Sequence, residues 1–301
     1  MHDNRYNLFL LQKDTLQSAV ELLDETTIST AFSGIDAPGT GLEMAILELS
    51  HRVGRSIPPP KHLQAIEWFT ESQYELMIHP NAPSCIFNDI SEFLVKGVRP
   101  LARQLRGPAT AQVLGPVIKT GRAIAPSAYC IRHKCMCELQ CARIHIAGTP
   151  CTDFSKMGQQ KEVSGGTTLH LLVWIGMRLK LQESVIIQEN VVAFDTGFMA
   201  GFLGSLYYLD VAVENSLDFG FPVRRERKWT IMRHKVKTLS QRHPLNVFTR
   251  MFYRVARCNW NAFLRSTPEE IQAELDAGLA LRKWRLVQRG VRGSVRHLIP
   301  N

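Results

Sequence analysis

The residues best placed for chemistry begin with Cys151, in the run Gly148-Thr149-Pro150-Cys151-Thr152-Asp153-Phe154-Ser155. An apolar stretch, Ile144 to Ala147, reads as a strand that breaks at Gly148 and presents the thiol directly after a proline. Glycine frees the backbone there and proline fixes one φ angle, so the thiol is held in place. A thiol held that way, once ionised, is a nucleophile. The alternative is a buried cysteine behind a strand, a common fate of a free thiol. A second group is Cys130, His133, Cys135, Cys137 and Cys141, four cysteines and a histidine within residues 130–141. Such a set offers ligands for tetrahedral zinc, although the familiar paired Cys-x-x-Cys spacing is missing. Its alternative is a set of buried free thiols.

Elements must position these groups. Thr27 to Phe32 is a β-branched strand running into a turn, Ser33-Gly34-Ile35-Asp36-Ala37-Pro38-Gly39-Thr40-Gly41, and then Leu42 to Leu49 with helical spacing. Strand, glycine-rich turn and helix form the opening unit of a nucleotide-type α/β fold. Glu67 ends a second strand some distance on, where an acidic residue binds ribose hydroxyls; otherwise it is a surface carboxylate. Cys85 to Ile90 reads as a third strand. Thr167 to Leu181 reads as an amphipathic helix, Val185 to Gln188 as a strand, and Gly197 to Tyr208 as a buried helix. A weak strand signal follows at Tyr208–Val213 and a strand at Trp229–Met232, and a helix starts at Thr267-Pro268, with Thr267 as its cap.

Four ordered blocks carry a family resemblance. They are Phe32-Ser33-Gly34, Pro150-Cys151 with Phe154-Ser155, Glu189-Asn190-Val191, and Asp218-Phe219-Gly220-Phe221-Pro222-Val223-Arg224-Arg225-Glu226-Arg227. Together they resemble the C5-cytosine DNA methyltransferases over roughly residues 26 to 235. The resemblance implies a Rossmann-like α/β fold with a mostly parallel, seven-stranded core sheet. It implies S-adenosylmethionine as cofactor, held by Phe32, Ser33 and Gly34, by Glu67 and Trp68, by Asp89 and Ile90, and by Pro150 and Thr168. It also implies Cys151 as nucleophile on a flipped cytosine, Glu189 as proton donor at the ring edge, and Arg225 and Arg227 as supporting charges. The loop from Lys156 to Gly166 would close over that base. Two departures stand out: Asp36 occupies a position that is usually glycine, and Val223 one that is usually glutamine.

Charge is uneven along the chain. Residues 224–301 hold 18 Lys and Arg against 5 Asp and Glu, whereas the whole protein is +9. A basic end on a mildly acidic body fits a polyanion such as DNA. No apolar run is long enough to cross a bilayer, and no secretory leader is evident. Seven cysteines suit a reducing compartment; an intracellular location follows, nuclear if the source is eukaryotic. The expected organisation is a lead-in over 1–25, a catalytic domain over 26–235 with a cysteine-containing insertion at 93–141, and a partial target-recognition or divergent region over 236–301. Aromatics Phe248, Phe252, Tyr253, Trp260 and Phe263 interleave with Arg250, Arg254 and Arg257 there, as nucleic-acid contacts or as core. The family's last blocks are not evident beyond a faint Gly293-Ser294-Val295, so a truncated or divergent enzyme with one side of its cofactor pocket open is expected. The alternatives are an RNA (tRNA) cytosine-5 methyltransferase and a catalytically silent nucleic-acid-binding remnant.

Overall fold

The computed structural model describes residues 20, 21, 23, 26–105, 108–150, 167–238, 245–250, 252–255, 267–270, 272, 273 and 276. Two compact units emerge: residues 1–215 with 225–253, and residues 216–224 with 254–301.

The first unit is built on one sheet. Its strands are β1 (Thr27–Ala31), β2 (Lys61–Ile66), β3 (Cys85–Phe87), β4 (Ser127–Cys130), β5 (Cys135–Glu138), β6 (Ile144–Gly148), β7 (Val185–Asn190), β8 (Tyr207–Asn215) and β9 (Glu226–His234). Their order is β5-β4-β3-β2-β1-β6-β7-β9-β8. The five central strands, β3 to β7 across β2, β1 and β6, run parallel, and the strands flanking them pair antiparallel. The β4–β5 hairpin extends the β3 edge. Without it seven strands remain, the number that the family resemblance implies.

Helices α1 (Ala37–Val53), α2 (Thr70–Ile78), α3 (Arg99–Gln104), α4 (Pro108–Lys119), α5 (Thr168–Leu181), α6 (Thr196–Leu203) and α7 (Leu245–Arg250) complete it. Helix α1 starts at Asp36, whose side chain accepts from the Gly39 N–H, and stops at Gly54, which takes a left-handed φ of 69°. The main core joins α5 to the sheet through Trp174, Phe87, Phe93 and Ile186. Helix α5 differs from the amphipathic expectation: Leu171 through Arg178 are all buried. Arg178 on that helix is made tolerable by Glu183, with which it forms an ion pair, both side chains being fully buried. The helix expected over Gly197–Tyr208 ends at Leu203. Tyr207 instead opens β8, its hydroxyl donating to the Glu183 carbonyl at 3.0 Å.

Tyr253 donates to Glu214 Oε2 at 2.7 Å, and Thr249 donates to Oε1 of the same carboxylate. Tyr253 thus contacts the protein body. In the second unit Gly220 takes φ 89°, and the Arg254 N–H donates to the Asp218 carbonyl at 2.7 Å. Thr267 and Glu270 form a reciprocal capping box, as a helix start at Thr267-Pro268 requires. Trp260, Phe263, Arg257, Gly293-Ser294-Val295, most of the Leu16–Leu23 stretch and residues 277–301 lie outside the described residues.

Candidate active site

Parallel strands put their carboxyl ends on one edge of a sheet. Here β2 and β3 lie to one side of β1, and β6 and β7 to the other. A switch point of this kind leaves a crevice beyond the carboxyl ends of the strands, where ligands bind in open α/β sheets. The residues at those ends are Phe32-Ser33-Gly34 after β1, Glu67-Trp68 after β2, Asn88-Asp89 after β3, Thr149-Pro150 after β6, and Glu189-Asn190 closing β7.

The turn after β1 is tightly specified. Phe32 takes φ 55° and Gly34 φ 53°. For a bulky residue such as Phe32 this left-handed backbone costs on the order of 1–3 kcal/mol, and such strain concentrates at functional sites. The Phe32 and Ser33 N–H groups both donate to the Ile66 carbonyl, at 2.8 and 3.3 Å. Glu67 is the strut between the two strand ends. Its Oε2 accepts from the Gly34 N–H and its Oε1 from the Phe69 N–H, each at 2.8 Å. Each carboxylate oxygen keeps a second lone pair. Trp68 is 74% exposed beside it.

Asp36 explains how the turn tolerates a non-glycine. It takes φ 63°, a region aspartate enters more readily than most residues. Its carboxylate is turned inward and buried, 3.1 Å from His62 Nδ1, so it does not project charge into the crevice. Asp89 accepts from the Ser91 N–H at 2.8 Å and lies 3.9 Å from His170 Nε2 at the start of α5. Ile90 is turned the other way: it opens a short 3-10 turn and is packed into the main core. Thr168, the first residue of α5, is buried.

Cys151, with Phe154, Ser155 and the loop from Lys156 to Gly166, lies outside the described residues. The chain that delivers it is described, up to Pro150. Thr149 is anchored in the interior: its Oγ1 accepts from Gln188 Nε2 and from Asn190 Nδ2, each at 2.8 Å, and its carbonyl accepts from Asn190 Nδ2 at 3.0 Å. All three residues are buried. Gln188 and Thr149 were not singled out from sequence. The available signal was a glutamine in an otherwise apolar run, Val185-Ile186-Ile187.

Glu189 and Arg227 meet. Arg227 Nε lies 2.7 Å from Glu189 Oε1, with both side chains about a quarter exposed. The antiparallel pairing of β7 with β9, which sets Glu189 opposite Trp229, brings them together. A Cβ built at Gly148 would stand 3.6 Å from Glu189 Oε2 and 3.9 Å from the Phe32 carbonyl, so the carboxylate and the β1 turn converge on the end of β6. Arg225 is exposed, and its backbone N–H donates to Asn215 Oδ1 at 3.1 Å.

Beneath the crevice, β6 is fixed by His145. Trp174 Nε1 donates to His145 Nε2 at 2.9 Å, and His145 Nδ1 lies 2.8 Å from Ser29 Oγ. Indole is only a donor, so Nε2 is the acceptor and Nδ1 carries the proton. Burial, with Arg178 and His62 adding to it, holds His145 well below the ordinary imidazole range, and it is neutral at pH 7.

The cysteine-rich stretch brings candidate metal ligands together with Cys85. Cys85, Cys130, His133 and Cys137 bring one ligand atom each to within 4.8 Å of one another. Cys85, at the start of β3, was absent from the sequence-derived set. Cys135 is exposed and lies outside this group, its sulfur 4.0 Å from that of Cys137. Cys141 is also outside it: its thiol donates to the Leu181 carbonyl at 3.1 Å. The Cys137 thiol is pushed up to about 12 by desolvation and by the neighbouring Cys85 and Cys130.

No protein-family model matches the chain, and no curated protein matches it. Solved structures similar to it include one described as a DNA modification methyltransferase encoded within an E. coli prophage, at 17% identity and TM-score 0.41, covering 72% of this chain and 49% of that one. Another is S. pombe Dnmt2 methyltransferase, at 16% identity and TM-score 0.45, covering 77% and 57%. A third is Entamoeba histolytica methyltransferase EhMeth, at 14% and 0.42, covering 73% and 57%. The chain spans about half the length of these structures. Likeness at these levels carries no argument about activity.

Proposed function

We propose that this protein is a DNA cytosine-5 methyltransferase acting through a covalent cysteine adduct. One observation carries the reading. Residues of three family blocks far apart in sequence, Phe32-Ser33-Gly34, Pro150 and Glu189-Asn190, stand at the carboxyl ends of the adjacent parallel strands β1, β6 and β7, beside the switch point, with Arg227 of β9 paired to Glu189.

The residues at that edge fit S-adenosylmethionine. Gly34 and the left-handed Phe32 leave backbone close to the crevice, Glu67 retains acceptor capacity for ribose hydroxyls, and the exposed Trp68 ring offers a face for adenine. Asp89 sits at the next strand end, Pro150 follows β6, and Thr168 opens α5. Ile90 is left out of this proposed set, because its side chain belongs to the core. When bound, S-adenosylmethionine supplies an electrophilic methyl group.

The chain's own residues do the rest. Cys151, following the anchored Thr149, adds its thiolate to carbon 6 of cytosine, which makes carbon 5 nucleophilic. Glu189 holds the ring edge near N3 and provides a proton there. Arg227 orients Glu189 and supports developing charge, and Arg225 adds positive charge nearby. Water or hydroxide then takes the carbon-5 proton, the N3 proton returns to Glu189, and the thiolate leaves. A stacked base is out of reach of such a thiol, so the cytosine is flipped out. The excess of Lys and Arg over residues 224–301 supports a nucleic-acid partner.

DNA carrying 5-fluorocytosine tests the proposal, since fluorine cannot leave as the carbon-5 proton does. With S-adenosylmethionine present, a denaturation-resistant protein–DNA adduct is expected from the wild-type chain and none from Cys151→Ala. An adduct that survives Cys151→Ala, or an active preparation with no adduct, would overturn it.

A further inference from the structure

We infer that Cys85, Cys130, His133 and Cys137 form a structural zinc site that clamps the β4–β5 hairpin to β3. The inference is independent of the methyl-transfer reading.

Geometry is the first argument. His133 Nδ1 lies 3.7 Å from Cys85 Sγ, 3.5 Å from Cys130 Sγ and 3.3 Å from Cys137 Sγ. A tetrahedral zinc with Zn–S of about 2.3 Å and Zn–N of about 2.0–2.1 Å has S···N edges of about 3.5–3.6 Å. The three distances bracket that edge. Hydrogen bonding does not account for them. One imidazole nitrogen carries either a single proton or a single lone pair, and it cannot serve three sulfurs at once. A cation at the centre satisfies all four groups together.

Ligand chemistry is the second. Three thiolates and one imidazole form a Cys₃His set, which favours zinc over harder cations. Four protein ligands leave no open position for water or substrate, so the site is structural. Its place in the fold agrees. Cys85 opens β3, whereas the crevice residues lie beyond the carboxyl ends of the strands.

The clamp has a purpose that the strand pairing makes visible. Phe87↔Cys130 is the one paired position between β3 and β4, supplemented by the Ile131 N–H donating to the Ile86 carbonyl at 2.8 Å. A bond through metal from Cys85 to Cys130 and Cys137 closes the long excursion through α3 and α4, where loop-closure entropy otherwise works against docking. Within β4 and β5 the ligands are local: the turn that carries His133 is closed by the Lys134 N–H donating to the Cys130 carbonyl at 2.8 Å.

The test uses the purified, reduced full chain. Elemental analysis is expected to give about one zinc per chain. After chelation, titration with cobalt(II) is expected to give the intense visible bands and the sulfur-to-metal charge transfer of a tetrahedral thiolate site, saturating at one equivalent. His133→Ala removes an exposed ligand without emptying the core, and is expected to weaken zinc binding by about 10²-fold or more. Cys85→Ser should do the same, with circular dichroism reporting its fold. Cys135→Ser and Cys141→Ser should keep the metal. Absence of both zinc and the cobalt spectrum in the wild-type chain would overturn the proposal. So would full affinity in His133→Ala, or metal lost in Cys135→Ser or Cys141→Ser and kept in Cys85→Ser.

Discussion

Replacing Glu67 by Gln is a nearly isosteric change with a calculable cost. The carboxylate, 7% exposed, accepts from two backbone N–H groups on different strand ends, one per oxygen. A glutamine amide has one acceptor oxygen. Whichever way it turns, one backbone donor then faces an NH₂ group. Losing a hydrogen bond to a charged acceptor costs about 1.5–3 kcal/mol, and the surviving bond drops to the strength of a neutral pair, a further loss of about 1 kcal/mol. The sum is about 2–4 kcal/mol. At about 2–4 °C per kcal/mol for a domain of this size, the melting temperature should fall by roughly 5–15 °C. Calorimetric titration with S-adenosylmethionine should show binding weakened by about 10–100-fold, since the turn is loosened and a ribose acceptor is lost. A Glu67→Gln chain that melts within about 2 °C of wild type would refute the strut. One that melts early yet binds the cofactor unchanged would refute the ribose subsite.

Glu189→Gln should lower single-turnover methyl transfer by about 10²–10⁴-fold with cofactor affinity kept, because the amide cannot deliver the proton; a rate near wild type would exclude that role. Thr149→Val leaves a buried Gln188 amide without its acceptor while Asn190 keeps the Thr149 carbonyl. It should cost about 1–3 kcal/mol and depress kcat more than KM, with Thr149→Ser restoring both. His145 sets an acid limit. Its folded-state pKa lies well below the usual 6.5, so under pH 6.5 the unfolded chain takes up a proton that the folded chain refuses. Stability in urea should be flat from this group above pH 6.5 and fall progressively as the pH drops below it. His234, lowered chiefly by burial, acts in the same sense. His145→Gln, which keeps a donor and an acceptor, should remove His145's share of the slope.

What the sequence made legible was local. The strand, turn and helix around Gly34 follow from β-branched residues, glycine and a capping aspartate within a short span. Glu189 and Arg227 could be named from their blocks, but their pairing needed the register of β7 against β9. Cys85 was invisible as a member of the thiol cluster because nothing in its sequence neighbourhood marks it. The sheet alone brings it to Cys130, while Cys141, close in sequence, is carried away to the carbonyl of Leu181. Helix α5 was read as amphipathic, yet its Arg178 is buried against Glu183, which lies past the helix end. Ile90 was assigned to the cofactor from its block, and a short 3-10 turn rotates it into the core. The inward-facing carboxylate of Asp36 depends on His62, a residue of the neighbouring strand, and so could not be read from the turn.

In the proposed reaction the Cys151 thiolate adds to carbon 6 of a cytosine in DNA, and carbon 5 receives the methyl group of S-adenosylmethionine. The direct measurement incubates the full chain with methyl-labelled S-adenosylmethionine and double-stranded DNA, with tRNA in parallel, and identifies the labelled nucleoside after digestion. The expected result is labelled 5-methyl-2′-deoxycytidine from the wild-type chain and none from Cys151→Ala. Label confined to tRNA, label on an exocyclic nitrogen, or undiminished transfer by Cys151→Ala would contradict it.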